Sequence, residues 1–414
     1  MVVEFMRGNR KYFNPFIITS AVFLLLLVVY QLYWSGLYPL LSPAVILFFF
    51  AFSAFGLVFH FRFANRIAET VNVSAKLVLL GREKLPGWMG ISFIGVIFIV
   101  EVLYNGGVPI VKMIQGIKVD YRDFSFPGVH IFFVTYSGYY AVKSFVSYFL
   151  LGKKWCLISF FLIFLMFAAL MHRSMLVFLV FNVLLVIGFL RGYNFKKFAY
   201  AILLLFAVFY TFGLAGDIRT NAQIGEKNAF DTAVLMRATS AADVLVDNTF
   251  FHPMYWSYLY FSSPLANFQN TVDNVAPQFS MDNTSRLVLY EFVPDFVLNR
   301  ITDLIVVDLE RSGLIKVIDF LTVGTIFGDS YAFGGWYAVF LMSVLMYFSI
   351  YIFLKFTKPG VEYLTQLAML SVLLSLCVFD NMFVYSSLSF QLLYPVFFTP
   401  LLRFLKFYPR GGGL

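Results

Sequence analysis

Charged residues are scarce in this chain of 414 residues, where Asp, Glu, Lys and Arg together make up 13%. Soluble domains carry about 25%, whereas here 61% of the residues are hydrophobic and 20% are aromatic. This composition excludes a soluble globular enzyme and an intrinsically disordered chain. The formal net charge is +8, but the sequence has no basic stripe with interleaved aromatic residues, so we expect no nucleic-acid partner.

Cysteines and the common catalytic signatures are also lacking. Cys156 and Cys377 both lie in apolar runs, which favours packed thiols over a disulfide or a metal site. The sequence contains no HExxH, P-loop, GxSxG, paired CxxC or protein-kinase motif. Metalloproteases, nucleotide-driven pumps and the usual serine hydrolases are therefore excluded, and we expect neither a metal nor a cofactor.

Long apolar runs dominate what is present. A helix needs roughly 20 apolar residues to cross a hydrocarbon core of about 30 Å. By this measure we predict ten transmembrane helices, at residues 15–33, 41–60, 88–105, 130–150, 155–171, 174–190, 198–215, 331–354, 362–380 and 383–402. The first run is too long for the core of a signal peptide and lacks a small-residue cleavage site, so we expect it to remain as a span.

Lysine and arginine predict the orientation of these spans. With the N-terminus inside, every inner loop is basic, whereas the short outer turns at 34–40 and 381–382 contain neither residue. Both termini are then cytoplasmic. We predict an all-α polytopic membrane protein with seven spans over 1–215, a large, mostly helical periplasmic insert over 216–329, and three spans with a cytoplasmic tail over 330–414.

Two shorter helices are predicted on the outer side. After the turn signal Asn105-Gly106-Gly107-Val108-Pro109, an apolar stripe beside Lys112 and Lys118 predicts an interfacial helix within 105–129. In the insert, Asn228 is expected to cap a second helix. Its predicted apolar face consists of Val234, Leu235, Ala238, Ala242 and Leu245.

Aromatic and mixed segments follow in the insert. Residues 254–268 are rich in Tyr, Trp and Phe, a composition typical of the membrane–water boundary and able to stack on sugar rings. Segment 286–307 is apolar but interrupted by charges, so we expect it to lie on or re-enter the outer face. The predicted substrate-binding residues are Arg122, Tyr255, Trp256 and Tyr258.

Four arginines are candidates for binding an anionic group. Arg173 lies between two apolar runs at the outer face, where a guanidinium either clamps phosphate oxygens or extends to lipid headgroups. Arg219, Arg237 and Arg286 lie in the insert. They either gather with Arg173 around one anion near the membrane or pair individually with nearby Asp and Glu.

Histidines and charges within spans are the remaining candidates. His252, the one histidine of the insert, and His172 are candidate general bases because imidazole titrates near neutral pH, although a lone histidine often has a structural role. Lys143 lies inside the fourth predicted span, and Glu101 lies near the outer end of the third. Intramembrane charge often marks function, but extension to the membrane surface also explains Glu101.

This layout resembles the bacterial O-antigen and oligosaccharide repeat-unit polymerases, the Wzy family. The resemblance rests on many spans with one large late outer loop, the 105–109 turn followed by Tyr121 and Arg122, Arg173 between two spans, and segment 325–335 before the eighth span. It implies a membrane glycosyltransferase fold of the GT-C-like type, shared with the O-antigen ligases. The histidine-rich loop signature of the ligases is missing, which favours a polymerase.

The resemblance also implies a reaction and its partners. A growing glycan is transferred from undecaprenyl pyrophosphate to a new lipid-linked repeat unit at the periplasmic face of the bacterial inner membrane. Donor and acceptor are undecaprenyl-pyrophosphate-linked oligosaccharides, and further partners are membrane lipids and a chain-length regulator. Arg173, Arg219, Arg237 and Arg286 are then expected to bind the pyrophosphate. The alternatives are a lipid-linked oligosaccharide flippase, an O-antigen ligase, a membrane acyltransferase, and a scaffold or receptor.

Overall fold

The computed structural model of this protein describes most of the chain and is helical. The described residues are 13–83, 85–115, 128–192, 195–224, 231–277, 280–304 and 312–397. Across these ranges no strand forms, and one isolated antiparallel bridge joins Ser35 to Ala241. The predicted all-α class is confirmed for this part of the chain.

Sixteen α-helices follow one another in the described ranges. They are α1 (Pro15–Tyr30), α2 (Pro43–Leu79), α3 (Trp88–Tyr104), α4 (Pro109–Ile114), α5 (Val129–Leu151), α6 (Lys154–Ala169), α7 (Arg173–Arg191), α8 (Phe195–Ile224), α9 (Ala233–Ala238), α10 (Asp243–Val246), α11 (His252–Asn274), α12 (Met281–Phe292), α13 (Asp295–Leu304), α14 (Gly328–Phe356), α15 (Val361–Leu376) and α16 (Ser386–Ser389). We call the end of the bundle where α3 ends and α5, α7 and α14 begin the insert face. The opposite end is the basic face.

Several helices are suited to crossing a membrane. Among the described residues, four segments are long and apolar enough to do so: Pro43–Leu79, Trp88–Met113, Arg173–Arg191 and Gly328–Phe356. Shorter apolar helices accompany them at Pro15–Tyr30, Lys154–Ala169, Ile202–Ile218 and Val361–Leu376. The described part of the chain is therefore all-α and has the long apolar helices of a membrane protein.

The tenth predicted span differs from the others. Over 383–402 the chain forms α16, a 3₁₀ turn at Phe390–Leu392 and a helical turn that reaches residue 397. The polar turn before it accounts for the late start, because side chains at Asp380 and Asn381 bond the backbone of that turn. Residues beyond 397 lie outside the described part of the chain.

Helix α2 extends far beyond the predicted second span. Ser42 caps its start by accepting a hydrogen bond from the Val45 amide, and Pro43 occupies the first helical position. The helix then continues for 37 residues, about 55 Å at 1.5 Å per residue, against a hydrocarbon core of about 30 Å. Arg62, Arg66 and Lys76, expected in an inner loop, therefore lie on a helix that projects from the basic face.

The centre of the bundle is α15. Thirteen of its sixteen residues are buried, and it packs against α1, α2, α5, α7 and α14. A helix that is buried on nearly all sides occupies the core of the bundle. Because α15 starts at the basic face and ends at the insert face, it fixes the position of the polar turn that follows Leu376.

The predicted insert helix near residue 234 is wrong as one continuous helix. The chain forms α9 and α10 instead, and Ser240 between them has a φ of +50°. Backbone bonds to the 34–36 turn cause the break: Gly36 N donates to Ser240 O, and Ala242 N donates to Trp34 O. Leu235 and Leu245 are nevertheless buried as predicted, whereas Ala238 is exposed. Asn228 and Lys118 lie outside the described residues.

Much of the insert belongs to the helix bundle. Helix α11 packs against α8, α1 and α14, and Ser257 Oγ donates to Phe209 O on α8. Helix α8 itself continues to Ile224, past its predicted end at 215. The insert is therefore mostly helical where it is described, as predicted, but α11 forms no separate lobe.

The close approach of α8 and α11 gives a stability prediction. A Cβ atom added at Gly213 would lie 1.5 Å from the backbone oxygen of Pro253, so Gly213→Ala must force the two helices apart. Overpacking of this kind costs about 1–3 kcal/mol, and we expect a melting temperature several degrees lower in detergent. Gly95→Ala on α3 is the matched control, because an added Cβ there would meet no atom of another part of the fold within 4 Å. This change is expected to leave the melting temperature unchanged or slightly raised. Equal effects from both changes would contradict the packing described.

Candidate active site at the insert face

Three carboxylates converge where the insert reaches α14 and α15. Glu291 lies near the end of α12, Asp329 in the first turn of α14, and Asp380 just after α15. Glu291 is 5% exposed. Its Oε2 atom accepts hydrogen bonds from Ser330 Oγ at 3.2 Å and from Asn381 Nδ2 at 3.0 Å. We call Glu291, Asp329 and Asp380 the carboxylate cluster.

Backbone pairing brings these carboxylates together. Thr325 N donates to Phe379 O, and Ile326 N donates to Cys377 O, so the chain entering α14 is bonded to the chain leaving α15. Thr325 has a φ of +62°, an unfavourable conformation for a β-branched residue. Asn381 Nδ2 also donates to the backbone oxygen of Glu291 at 2.8 Å. Three segments distant in sequence are thus held at one point.

The other two carboxylates are held by local donors. Asp329 Oδ1 accepts from Ser312 Oγ and from Gly313 N, each at 2.8 Å. Asp380 Oδ2 accepts from the Tyr385 hydroxyl at 2.7 Å. Hydrogen-bond donors of this kind favour the ionised form of each carboxylate.

Burial and like charge shift the proton affinity of Glu291. Desolvation, followed by repulsion from Asp329, raises the pKa of Glu291 to about 8. Burial also raises the pKa of Asp380. A carboxyl group whose pKa lies near neutrality can accept and release a proton in catalysis, which is the property required of a general base.

Helix α13 connects the carboxylate cluster to the start of α5. At its N-terminus, Asp295 Oδ1 accepts from Phe296 N and from Ser386 N. Five residues later, about 7.5 Å along the helix, the Arg300 guanidinium lies 4.6 Å from the centre of the Phe296 ring. A Cβ atom on Gly128 would lie 3.9 Å from Arg300 Nη2. Arg300 therefore reaches the residue that precedes α5.

A second polar group, formed by Glu101, His130 and His172, lies beside Arg300 at the insert face. His130 Nδ1 is 3.0 Å from Oε2 of the fully buried Glu101. The rings of His130 and His172 stack with their centres 6.0 Å apart, and Arg173 begins α7 directly after His172. Burial, followed by the charge of His130, lowers the pKa of His172 to about 4, so His172 is neutral at pH 7.

The predicted pyrophosphate arginines are not joined by any described contact. Arg173 and Arg237 are exposed. Arg286 Nε lies 3.1 Å from Asp282 Oδ2 one turn earlier on α12, which is the pairing with a nearby acid considered from the sequence. The side chain of Arg219 and the whole of Arg122 lie outside the described residues. Their binding roles stay predictions.

The other predicted site residues that the structure describes contact neighbouring parts of the fold. His252 Nε2 lies 3.3 Å from Val246 O at the start of α11. Tyr255, Trp256 and Tyr258 are buried at 0%, 4% and 4% exposure, and the hydroxyl of Tyr258 accepts from Trp34 N. These rings pack in the core, which does not favour stacking on a sugar. Their catalytic and substrate-binding roles also stay predictions.

Sequence reasoning missed the residues that the fold brings together. Glu291 was visible only as one of the charges that interrupt segment 286–307, and Asp380 was the last residue of the ninth predicted span. Glu101 was explained by proximity to the membrane surface, yet it is fully buried and bonded to His130. The signal that the sequence did contain was the position of Asp329 and Asp380 at the ends of two apolar segments, on the side where the predicted topology also places Glu291.

Lys143, which was predicted inside the fourth span, has an ionic partner. Lys143 on α5 forms an ion pair with Glu362 on α15, and the Tyr139 hydroxyl donates to the same carboxylate at 2.8 Å. Paired charges of this kind are the form in which ionisable groups persist in a membrane interior.

No protein family matches the chain, and neither a curated protein nor a solved structure matches it. The described residues define the class as an all-α protein with helices suited to a membrane. Within its described residues, no three His, Cys, Asp or Glu side chains are arranged to hold a metal ion.

Proposed function

We propose that this protein is a membrane glycosyltransferase that polymerises lipid-linked glycan repeat units. It transfers a growing glycan from undecaprenyl pyrophosphate to a new lipid-linked repeat unit at the periplasmic face of the bacterial inner membrane. The observation that carries this proposal is the buried Glu291, held by Ser330 and Asn381 beside two other acids, at the same face as Arg173 and Arg300. The sequence resemblance to the O-antigen polymerases supplies the substrate class.

The chemistry requires one base and one anion-binding group. The acceptor hydroxyl oxygen forms a bond to the anomeric carbon while the bond from that carbon to the pyrophosphate oxygen breaks. The hydroxyl proton passes to the Glu291 carboxylate, and the leaving pyrophosphate keeps the bonding electron pair. Guanidinium groups positioned at the insert face stabilise the charge that develops on pyrophosphate.

Glu291 replaces His252 as the base we favour in this proposal. Its carboxyl group is buried, lies beside two other acids and is oriented by Ser330 and Asn381. His252, by contrast, faces a backbone oxygen at the start of α11. His172 is the second candidate, because it is neutral at pH 7 and directly precedes Arg173.

Arg300 joins Arg173 in the proposed pyrophosphate group. Both side chains are exposed at the insert face. Neither forms an ion pair within the described part of the chain, so both guanidinium groups can bind an external anion. Arg219, Arg237 and Arg286 are retained as further candidates.

The proposal includes ten spans with both termini in the cytoplasm, and cysteine labelling tests this topology. Both native cysteines are buried, so the background is low. A membrane-impermeant maleimide added outside spheroplasts is expected to label Asp247→Cys, an exposed insert residue. It is expected to leave Asn194→Cys unlabelled until the membrane is permeabilised. The reverse pattern would overturn the orientation.

The half-buried Lys143–Glu362 pair is the observation that favours a flippase as the second candidate, since intramembrane charges often line transport paths. Electrophoresis of the surface glycan from cells that lack the gene separates the two functions. A ladder reduced to single repeat units supports a polymerase, whereas loss of all surface glycan supports a flippase. A normal ladder would remove the polymerase.

A further inference from the structure

A cavity opens at the basic face, opposite the proposed active site. It has a volume of about 200 Å³ and lies between the projecting part of α2, the end of α14 and the start of α15. Pockets that hold drug-sized molecules measure about 300–1,000 Å³. The space therefore suits a small group, such as a phosphate with part of its headgroup.

Two cations border this basic-face cavity. They are Arg66 on α2 and Lys355 near the end of α14. Within the described ranges neither cation has a carboxylate oxygen within 4.0 Å. Lys355 Nζ lies 5.3 Å from the centre of the Tyr351 ring. Both cations are exposed, so they are free to bind an anion that enters the cavity.

Hydroxyl groups form part of the cavity wall. Tyr363 on α15 interacts with the Thr70 hydroxyl and lies beside Arg66. Thr70 is fixed by donating to the Arg66 backbone oxygen at 2.8 Å. A guanidinium and an ammonium thus border one space, and both are donors suited to phosphate oxygens.

The cavity lies at the depth of lipid headgroups. Arg66 is 23 residues after Pro43, about 35 Å along the helix, which exceeds a hydrocarbon core of about 30 Å. Apolar side chains line the rest of the cavity, among them Phe63 and Leu354. Phe61 and Phe356 nearby on the same two helices are 76% and 61% exposed. Acyl chains can therefore lie along the surface that flanks the cations.

We propose that the basic-face cavity binds the phosphate group of an anionic phospholipid. Arg66 and Lys355 hold the phosphate oxygens, and the acyl chains cover the exposed phenylalanines. This site is independent of the proposed glycosyl transfer, since it lies at the other face of the bundle and uses none of the same residues.

Native mass spectrometry of the purified full chain tests the site. Phosphatidylglycerol and phosphatidylcholine are titrated separately into the detergent-solubilised protein, and inorganic phosphate is added as a competitor. We expect tighter binding of phosphatidylglycerol, and Arg66→Gln with Lys355→Gln is expected to weaken it about tenfold or more as charge-assisted contacts are lost.

A charge-matched control separates this site from general attraction to a basic surface. Arg62→Gln with Lys76→Gln also removes one arginine and one lysine, both exposed on α2, and neither lines the cavity. The control pair is expected to retain wild-type binding. Equal weakening by both pairs, or no preference of the wild type for phosphatidylglycerol, would overturn the proposal. Displacement of the lipid by inorganic phosphate at millimolar concentration would assign the cavity to free phosphate and overturn the lipid assignment.

Discussion

Glu291→Gln is expected to reduce glycan polymerisation about 10²–10⁴-fold, the usual effect of removing a general base. The surface glycan should collapse to single repeat units in cells that express only this variant. Glutamine has the size of glutamate and can still accept hydrogen bonds from Ser330 and Asn381. The loss is therefore attributed to proton transfer and not to misfolding.

The melting temperature of Glu291→Gln separates a catalytic role of Glu291 from a structural one. The pKa of Glu291 is raised from 4.5 to about 8 by burial and by its acidic neighbours. As the pH rises, the unfolded chain loses this proton first, so the contribution of Glu291 to folding stability falls between about pH 4.5 and about pH 8. We expect Glu291→Gln to melt at or above the wild-type temperature at pH 8.5 while polymerisation is lost.

Two results would contradict the assignment. One is a normal ladder from Glu291→Gln, and the other is a variant that melts well below the wild type at pH 8.5. Asp319→Asn, at an exposed residue of the same insert, is the matched control and should retain the full ladder. In membranes that carry the wild-type protein, transfer should increase as the pH rises toward 8, because a base must be unprotonated to act.

Replacing Arg300 with alanine has the second-largest expected effect. Removing one preorganised donor to a developing negative charge typically costs about 10²–10³ in rate, and Arg173→Ala is expected to behave in the same way. Lysine should not restore activity fully at either position, because an ammonium cannot form the two parallel bonds that a guanidinium makes to phosphate. The measurement is ladder length together with the rate of repeat-unit addition in isolated membranes.

The control for the arginines is Lys316→Ala. It removes one positive charge from an exposed position in the insert and should leave the ladder intact. If Arg300→Ala and Lys316→Ala shortened the ladder equally, net charge and not a positioned guanidinium would be the cause. A full ladder from Arg300→Ala would remove this residue from the site.

Much of the fold could be predicted from apolar run length. Helices cover nine of the ten predicted spans because roughly 20 consecutive apolar residues have few other stable arrangements in a membrane protein. The length of α2 was not predictable in this way, since its residues beyond position 60 are basic and polar yet remain helical. The break between α9 and α10 was also hidden, because it depends on bonds to the distant turn at 34–36.

The candidate site was less predictable than the fold. Glu291, Asp329 and Asp380 are separated by 38 or more positions along the chain, and no local pattern connects them. They meet because the segment entering α14 bonds the end of α15, a tertiary pairing that hydropathy does not encode. His252, Tyr255, Trp256 and Tyr258 were predicted as site residues from residue type alone. The fold buries the three aromatic side chains.

The most direct test of the central claim is glycan lengthening by the purified protein. The full chain is reconstituted in liposomes with an undecaprenyl-pyrophosphate-linked repeat unit and without other proteins, and the products are separated by electrophoresis. We expect a ladder of lengthened lipid-linked glycans from the wild type and single units from Glu291→Gln. Single units from folded wild-type protein, with or without their transfer across the bilayer, would contradict the proposed polymerase.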